Sequence, residues 1–212
     1  MKSILVYGDS NTWGFNPATT GRYPPQLRWT GVMRAALDAA YPGACEVVAE
    51  GQNGRTTVWD DPLGDKNGAT HLMAILESHK PLDLVIIMLG TNDLKHRIGV
   101  SAYDVARGLC RLGDLVRKCE FGPGNQAPEI LLVAPPPFAT LSSYSPDFLG
   151  GAEKSRDLGR QLAAVAPQYN HRFFDAGSVI VSSDIDGIHL DPAEHEKLGK
   201  AMALEAARIL SL

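Results

Sequence analysis

Ser10 stands in Gly8-Asp9-Ser10-Asn11-Thr12, directly after the apolar run Ile4-Leu5-Val6-Tyr7. A serine hydroxyl is a useful nucleophile at neutral pH only with a base in hydrogen-bond reach, and a glycine ahead of it permits a tight turn and close approach. The same residues also read as a helix start, because Ser and Asn favour the N-cap. The fitting base is His189, which follows Asp186 by three residues, just before a helix start at Asp191-Pro192-Ala193-Glu194. One turn of chain brings such a carboxylate to one imidazole nitrogen, fixing tautomer and orientation and leaving the other nitrogen for the serine. Taken alone, D-x-x-H better describes a loop with local Asp hydrogen bonds. His71, His79, His96, His171 and His195 have no acid at a useful spacing and suit surface or core positions.

Acyl chemistry at Ser10 also needs donors for a developing oxyanion. Asn92, in Gly90-Thr91-Asn92-Asp93, carries an uncharged amide at the end of the most apolar run of the chain, Leu84 to Leu89. Gly54, in Gly51-Gln52-Asn53-Gly54, offers a backbone N–H with no side chain to obstruct a substrate, and the N–H of Ser10 is the third candidate. Asp93 reads as structural, a carboxylate for neighbouring backbone N–H groups. Phe15, Thr91, Phe148 and Ile188 lie near these positions or on irregular segments and are candidate lining for an apolar acyl or aryl pocket.

These residues must be delivered by strand ends. The pattern predicts strands over 3–7, 46–49, 84–89, 129–134 and 172–175, the third buried on both faces because it is continuously apolar. Helices are predicted over 29–40, 69–78, 102–118 and 152–165, and from Asp191 to the C-terminus, with capping boxes at Ser101–Asp104 and Asp191–Glu194. Residues 16–28, 57–66 and 138–151 read as irregular loops over the strand ends. Strand and helix alternate, so right-handed crossovers give an α/β fold, a three-layer α/β/α sandwich on a five-stranded parallel sheet of flavodoxin-like type. No repeat or linker divides residues 1–212, and one domain is expected.

A net charge of −4 gives no footprint for nucleic acid or an anionic membrane, and no apolar run is long enough for a signal core or a spanning helix. Cys45, Cys110 and Cys119 form no C-x-x-C pair, and their odd number argues against a disulfide framework. A cytoplasmic protein with a small-molecule substrate is the expectation. The acidic group Asp60-Asp61-Pro62 suits turn residues better than a metal site.

Gly8-Asp9-Ser10, the turn glycine Gly54, Gly90-Thr91-Asn92-Asp93 and Asp186-x-x-His189 resemble the ordered blocks of the SGNH (GDSL-type) hydrolases. Gly8 to Gly14, Arg28-Trp29-Thr30-Gly31, Arg55-Thr56-Thr57, Leu82 to Asp93, Pro135-Pro136-Pro137 and Phe174 to Ser178 are similar to its arylesterase, acyltransferase and perhydrolase branch. The resemblance spans nearly the whole chain. It implies the SGNH hydrolase fold, Ser10, Asp186 and His189 as a triad, and Ser10, Gly54 and Asn92 as an oxyanion hole. It further implies small or aryl carboxylic esters as substrates, no metal or organic cofactor, acyl transfer to alcohols or hydrogen peroxide in some members, and assembly into homo-oligomers. Asn11 departs from the pattern, which has Leu there, and is expected to alter acyl-pocket shape or water access.

Two other readings use the same residues. A flavodoxin-like module would cradle a phosphate or flavin on Ser10-Asn11-Thr12, leaving Asn92, Asp186 and His189 without a shared task. A metal-dependent phosphoesterase would recruit Asp9, Asp93, Asp186 and His189 as ligands. The G-x-S-x-G elbow of α/β-hydrolases is absent, since Asp9 precedes Ser10 and Thr12 takes the last glycine's place.

Overall fold

Alternation along the strands divides the apolar residues between two faces of one sheet. The computed structural model describes residues 1–212. Leu5 and Tyr7 of β1 (Lys2–Gly8) join one core, and Ile4 and Val6 join the other. Val85 and Ile87 of β3 (Leu84–Met88) divide from Leu84, Ile86 and Met88 in the same way. All five residues of β3 are buried, as a central parallel strand requires.

With β2 (Cys45–Gly51), β4 (Glu129–Ala134) and β5 (Arg172–Asp175), these strands pair in parallel in the order β2-β1-β3-β4-β5. The predicted strands agree, apart from extensions of β1 by one residue at each end and of β2 by one and two residues, and β3 ending at Met88, one residue earlier than predicted. Helices α3 (Gly68–His79), α4 (Ala102–Arg117) and α5 (Gly151–Val165) pack on the face whose core holds 27 buried residues. Helices α2 (Trp29–Ala40) and α6 (Pro192–Leu210) cover the face whose core holds 18. The three layers are those the sequence predicts. Between them is one short addition, α1 (Ser10–Trp13), at the end of β1.

The strand order reverses between β1 and β3: the chain leaves β1 toward β2 and returns across β1 to start β3. At such a switch point the two outgoing loops diverge and leave a crevice beyond the carboxyl ends of the strands. Ser10 follows β1 and Asn92 follows β3, so the fold sets both at the mouth of that crevice.

One predicted capping box forms and one does not. At α4 the Ser101 hydroxyl accepts from Asp104 N–H at 3.2 Å, and the Asp104 carboxylate accepts from Ser101 N–H at 3.1 Å. At α6, Asp191 is the N-cap residue but its side chain caps nothing; it accepts from Ser183 Oγ at 2.9 Å. Glu194 accepts from Val181 N–H at 3.0 Å. Both carboxylates turn outward to pin the segment 181–183 that leads into Asp186. No helix is long and apolar enough to cross a membrane.

Candidate active site

The turn after β1 is built for close approach. A Cβ on Gly8 would stand 2.1 Å from Thr12 Oγ1, so only glycine lets α1 start so abruptly. Asp9, not Ser10, is the N-cap: its carboxylate accepts from Asn11 N–H at 3.0 Å. Ser10 is left as the first helical residue, with a backbone N–H that has no acceptor within the helix. Burial pushes the Asp9 carboxyl up, against the Asn11 hydrogen bond, nearby His189 and the Thr91 hydroxyl.

Ser10, His189 and Asp186 form a continuous hydrogen-bonded chain. Ser10 Oγ and His189 Nε2 are 2.9 Å apart, and His189 Nδ1 and Asp186 Oδ2 are 2.6 Å apart. Asp186 Oδ1 accepts from the backbone N–H groups of Ile188 and His189, each at 2.9 Å. Burial would raise the Asp186 carboxyl, but the hydrogen bonds from the His189 ring and the two backbone groups outweigh it and leave it below the usual carboxylate value. The His189 ring is held between aromatics, with its centroid 4.1 Å from Phe15 and 6.0 Å from Tyr144.

Asn92 lies within reach of the turn after β2. Its amide donates to Arg55 O at 3.2 Å, which leaves a second N–H free. That turn is fixed by Arg55, buried, whose guanidinium donates to Gly8 O at 2.7 Å and to Glu50 O and lies 3.9 Å over the Tyr7 ring. Gly54 adopts φ +83°, and its N–H makes no hydrogen bond within the protein. Asp93 is structural, as expected, though its partner is distant in sequence. It accepts from Thr57 N–H at 2.9 and 3.0 Å and from Thr57 Oγ1 at 2.6 Å, tying the turn after β3 to that after β2. Burial raises the Asp93 carboxyl to about 6 despite those bonds.

A cleft of about 200 Å³ opens onto these groups. Ser10, Gly54, Asn92 and His189 line it together with three of the four expected pocket residues, Phe15, Phe148 and Ile188. The fourth, Thr91, is buried and is not among the residues that line the cleft. The chain turns inward there because the residue after Gly90 starts a short 3₁₀ turn that presents Asn92 instead. Asn11 is also absent from the lining. Its amide is buried and donates to Ile188 O at 3.3 Å, joining the serine turn to the histidine loop, so its expected effect on pocket shape is indirect. Asn53, Lys95, Arg97, Tyr144 and Asp147 complete the lining. None of these is among the sequence candidates, although Asn53 stands in the Gly51–Gly54 turn, Tyr144 and Asp147 on the irregular segment 138–151, and Lys95 and Arg97 just after Asn92 on a strand-end segment.

The rival ligands find poor geometry. At the start of α1 the Asp9 carboxylate occupies the position a phosphate would take, and the helix has only four residues. The would-be metal ligands are engaged elsewhere, Asp93 by Thr57 and Asp186 by His189, and no three such side chains converge. Asp60 and Asp61 accept from Asn67, Lys95 and Arg97.

The model of the GDSL-like Lipase/Acylhydrolase family matches residues 6–197, a span that holds every residue of this site. The chain belongs to that family. Est24, a carbohydrate acetylesterase from Sinorhizobium meliloti, is similar at 42% identity and TM-score 0.92, over 99% of this chain and 100% of that one. The native aryl esterase of M. smegmatis gives the same figures, 42% identity, TM-score 0.92, and 99% and 100% coverage. A member of the lipolytic G-D-S-L family from Veillonella parvula DSM 2008, at 18% identity and TM-score 0.67 over 97% of both chains, shares the fold. No curated protein matches the sequence.

Proposed function

We propose that this family member is a serine esterase acting on small or aryl carboxylic esters through an acyl-enzyme. The observation that carries the reading is the hydrogen-bonded chain from Ser10 Oγ through His189 to the Asp186 carboxylate, opening on a cleft. Ser10 attacks the ester carbonyl as His189 Nε2 takes its proton, and Asp186 stabilises the imidazolium and holds Nδ1–H. The N–H groups of Ser10 and Gly54 and the amide of Asn92 receive the oxyanion. His189 then protonates the leaving alkoxide, and water releases the acyl group.

Alcohols and hydrogen peroxide are proposed as alternative acceptors, because the acyl-enzyme would face an open cleft. Similarity to an aryl esterase and to a carbohydrate acetylesterase supports small acyl groups. Phe15, Phe148 and Ile188 are proposed to contact the substrate. A homo-oligomer in the cytoplasm is part of the same reading, supported by three free cysteines and by exposed apolar side chains such as Val181, Ile185 and Leu204. Titration with a 4-nitrophenyl alkylphosphonate tests the mechanism. Stoichiometric loss of activity with the adduct on the Ser10 peptide is expected, and full activity after exhaustive treatment would refute it.

A further inference from the structure

One wall of the cleft is ionic. Lys95, Arg97 and Asp147 line it, and Asp147 is the only carboxylate that does. Asp61, buried outside the lining, binds both cations: its Oδ1 accepts from Arg97 Nε at 2.7 Å, and its Oδ2 from Arg97 Nη2 at 2.9 Å and Lys95 Nζ at 3.0 Å. Arg97 Nη1 donates to Asp147 Oδ1 on the far side. The two acids differ in exposure, the Asp61 side chain being 4% exposed and that of Asp147 49%.

Two cations set against Asp61 alone leave one positive charge facing the cleft, and Asp147 cancels it. We propose that Asp147 is a specificity-determining residue that makes this wall neutral and so selects uncharged esters over esters carrying an anionic group. The proposal rests on the esterase reading of the cleft. Without Asp147, a carboxylate on the acyl or aryl part of a substrate would meet Arg97 and Lys95 as net attraction in a site partly shielded from water. With Asp147 in place the same carboxylate meets a like charge.

Asp147→Asn alters charge and almost no volume. The backbone there is held independently, by His96 N–H on Asp147 O at 2.7 Å and by Asp147 N–H on Tyr144 O at 3.0 Å. The test compares kcat/KM for 4-nitrophenyl acetate and for the anionic mono-4-nitrophenyl glutarate, in wild type and Asp147→Asn. The anionic-to-neutral ratio is expected to rise about tenfold in the variant at low salt, and about 0.5 M NaCl should erase most of the gain by screening. An unchanged ratio would overturn the proposal. Binding of benzoate against benzamide, with and without Asp147→Asn on a Ser10→Ala background, reads the charge preference without turnover. A gain of about tenfold for benzoate is expected, and equal gains for both ligands would overturn the charge argument even if esters are cleaved. A benzoate gain in a protein whose wild type cleaves no ester would overturn the esterase reading and leave the charge assignment standing.

Discussion

Asp186 presents one oxygen to His189 Nδ1 at 2.6 Å and the other to the backbone N–H of the same His189 at 2.9 Å. The residue that orients the ring is thus itself oriented by that residue's main chain, and the D-x-x-H spacing is what allows both contacts. Asp186→Asn keeps the shape but sets an amide NH₂ against N–H donors, so the imidazole loses its correct tautomer. A fall in kcat on the order of 10³–10⁴ is expected with KM little changed. Because the Asp186 carboxyl lies below its usual value in the fold, its stabilising contribution is present above the unfolded value and is lost as pH falls through the folded one. Acid titration of wild type should therefore show a loss of stability that Asp186→Asn lacks.

Asn92→Ala should lower kcat roughly 10²–10³-fold, the usual result of removing one oxyanion donor. Gly54→Ala tests the second donor by a different route. No heavy atom lies within 3.7 Å of the added Cβ, so its cost comes from φ +83°. Destabilisation of about 1–2 kcal/mol is expected in urea, together with a lower kcat as the turn shifts. A variant of full stability and full activity would show that the turn holds its shape, and keeps the Gly54 N–H in place, without a glycine there.

Asp93→Asn should cost about 1–3 kcal/mol, since an amide cannot accept all the donors of Thr57. The pH dependence has a definite sign. With a folded value of about 6 against 3.8, Asp93 binds more protons folded than unfolded in that window, so wild-type stability from this group falls as pH rises through it. The stability difference between wild type and variant should be larger near pH 4.5 than near pH 7, and denaturant midpoints at the two pH values measure it.

Asn11→Leu restores the residue of the family pattern but leaves Ile188 O, beside the His189 N–H, without its donor. Because Asn11 lies outside the cleft lining, the ratio of hydrolysis to transfer should stay within about twofold, while kcat falls several-fold through a looser histidine loop. A changed ratio at constant kcat would place Asn11 in direct control of the acceptor.

Strand-level periodicity makes the layers and the sheet legible in the sequence, and the strand-end motifs point to Ser10, His189 and Asp186 once their resemblance to the SGNH hydrolases is added. What was not legible depends on side-chain direction at turns. Thr91 and Asn92 are neighbours, yet Thr91 is buried off the cleft and Asn92 lines it, where the left-handed Gly90 (φ +121°) leads into a 3₁₀ turn. The Asp191-Pro192-Ala193-Glu194 pattern marked the helix start correctly, but Ser183 and Val181 claimed its carboxylates. The ionic wall joins residues from three loops, Asp61, Lys95 with Arg97, and Asp147, and no local spacing encodes it.

The most direct test follows hydrolysis of an activated aryl acetate by wild type and Ser10→Ala, with intact-protein mass taken during turnover and circular dichroism confirming that both are folded. The account predicts a transient acetyl adduct on wild type alone and a fall in turnover of at least about 10³-fold in the variant. Unchanged turnover by folded Ser10→Ala would contradict it.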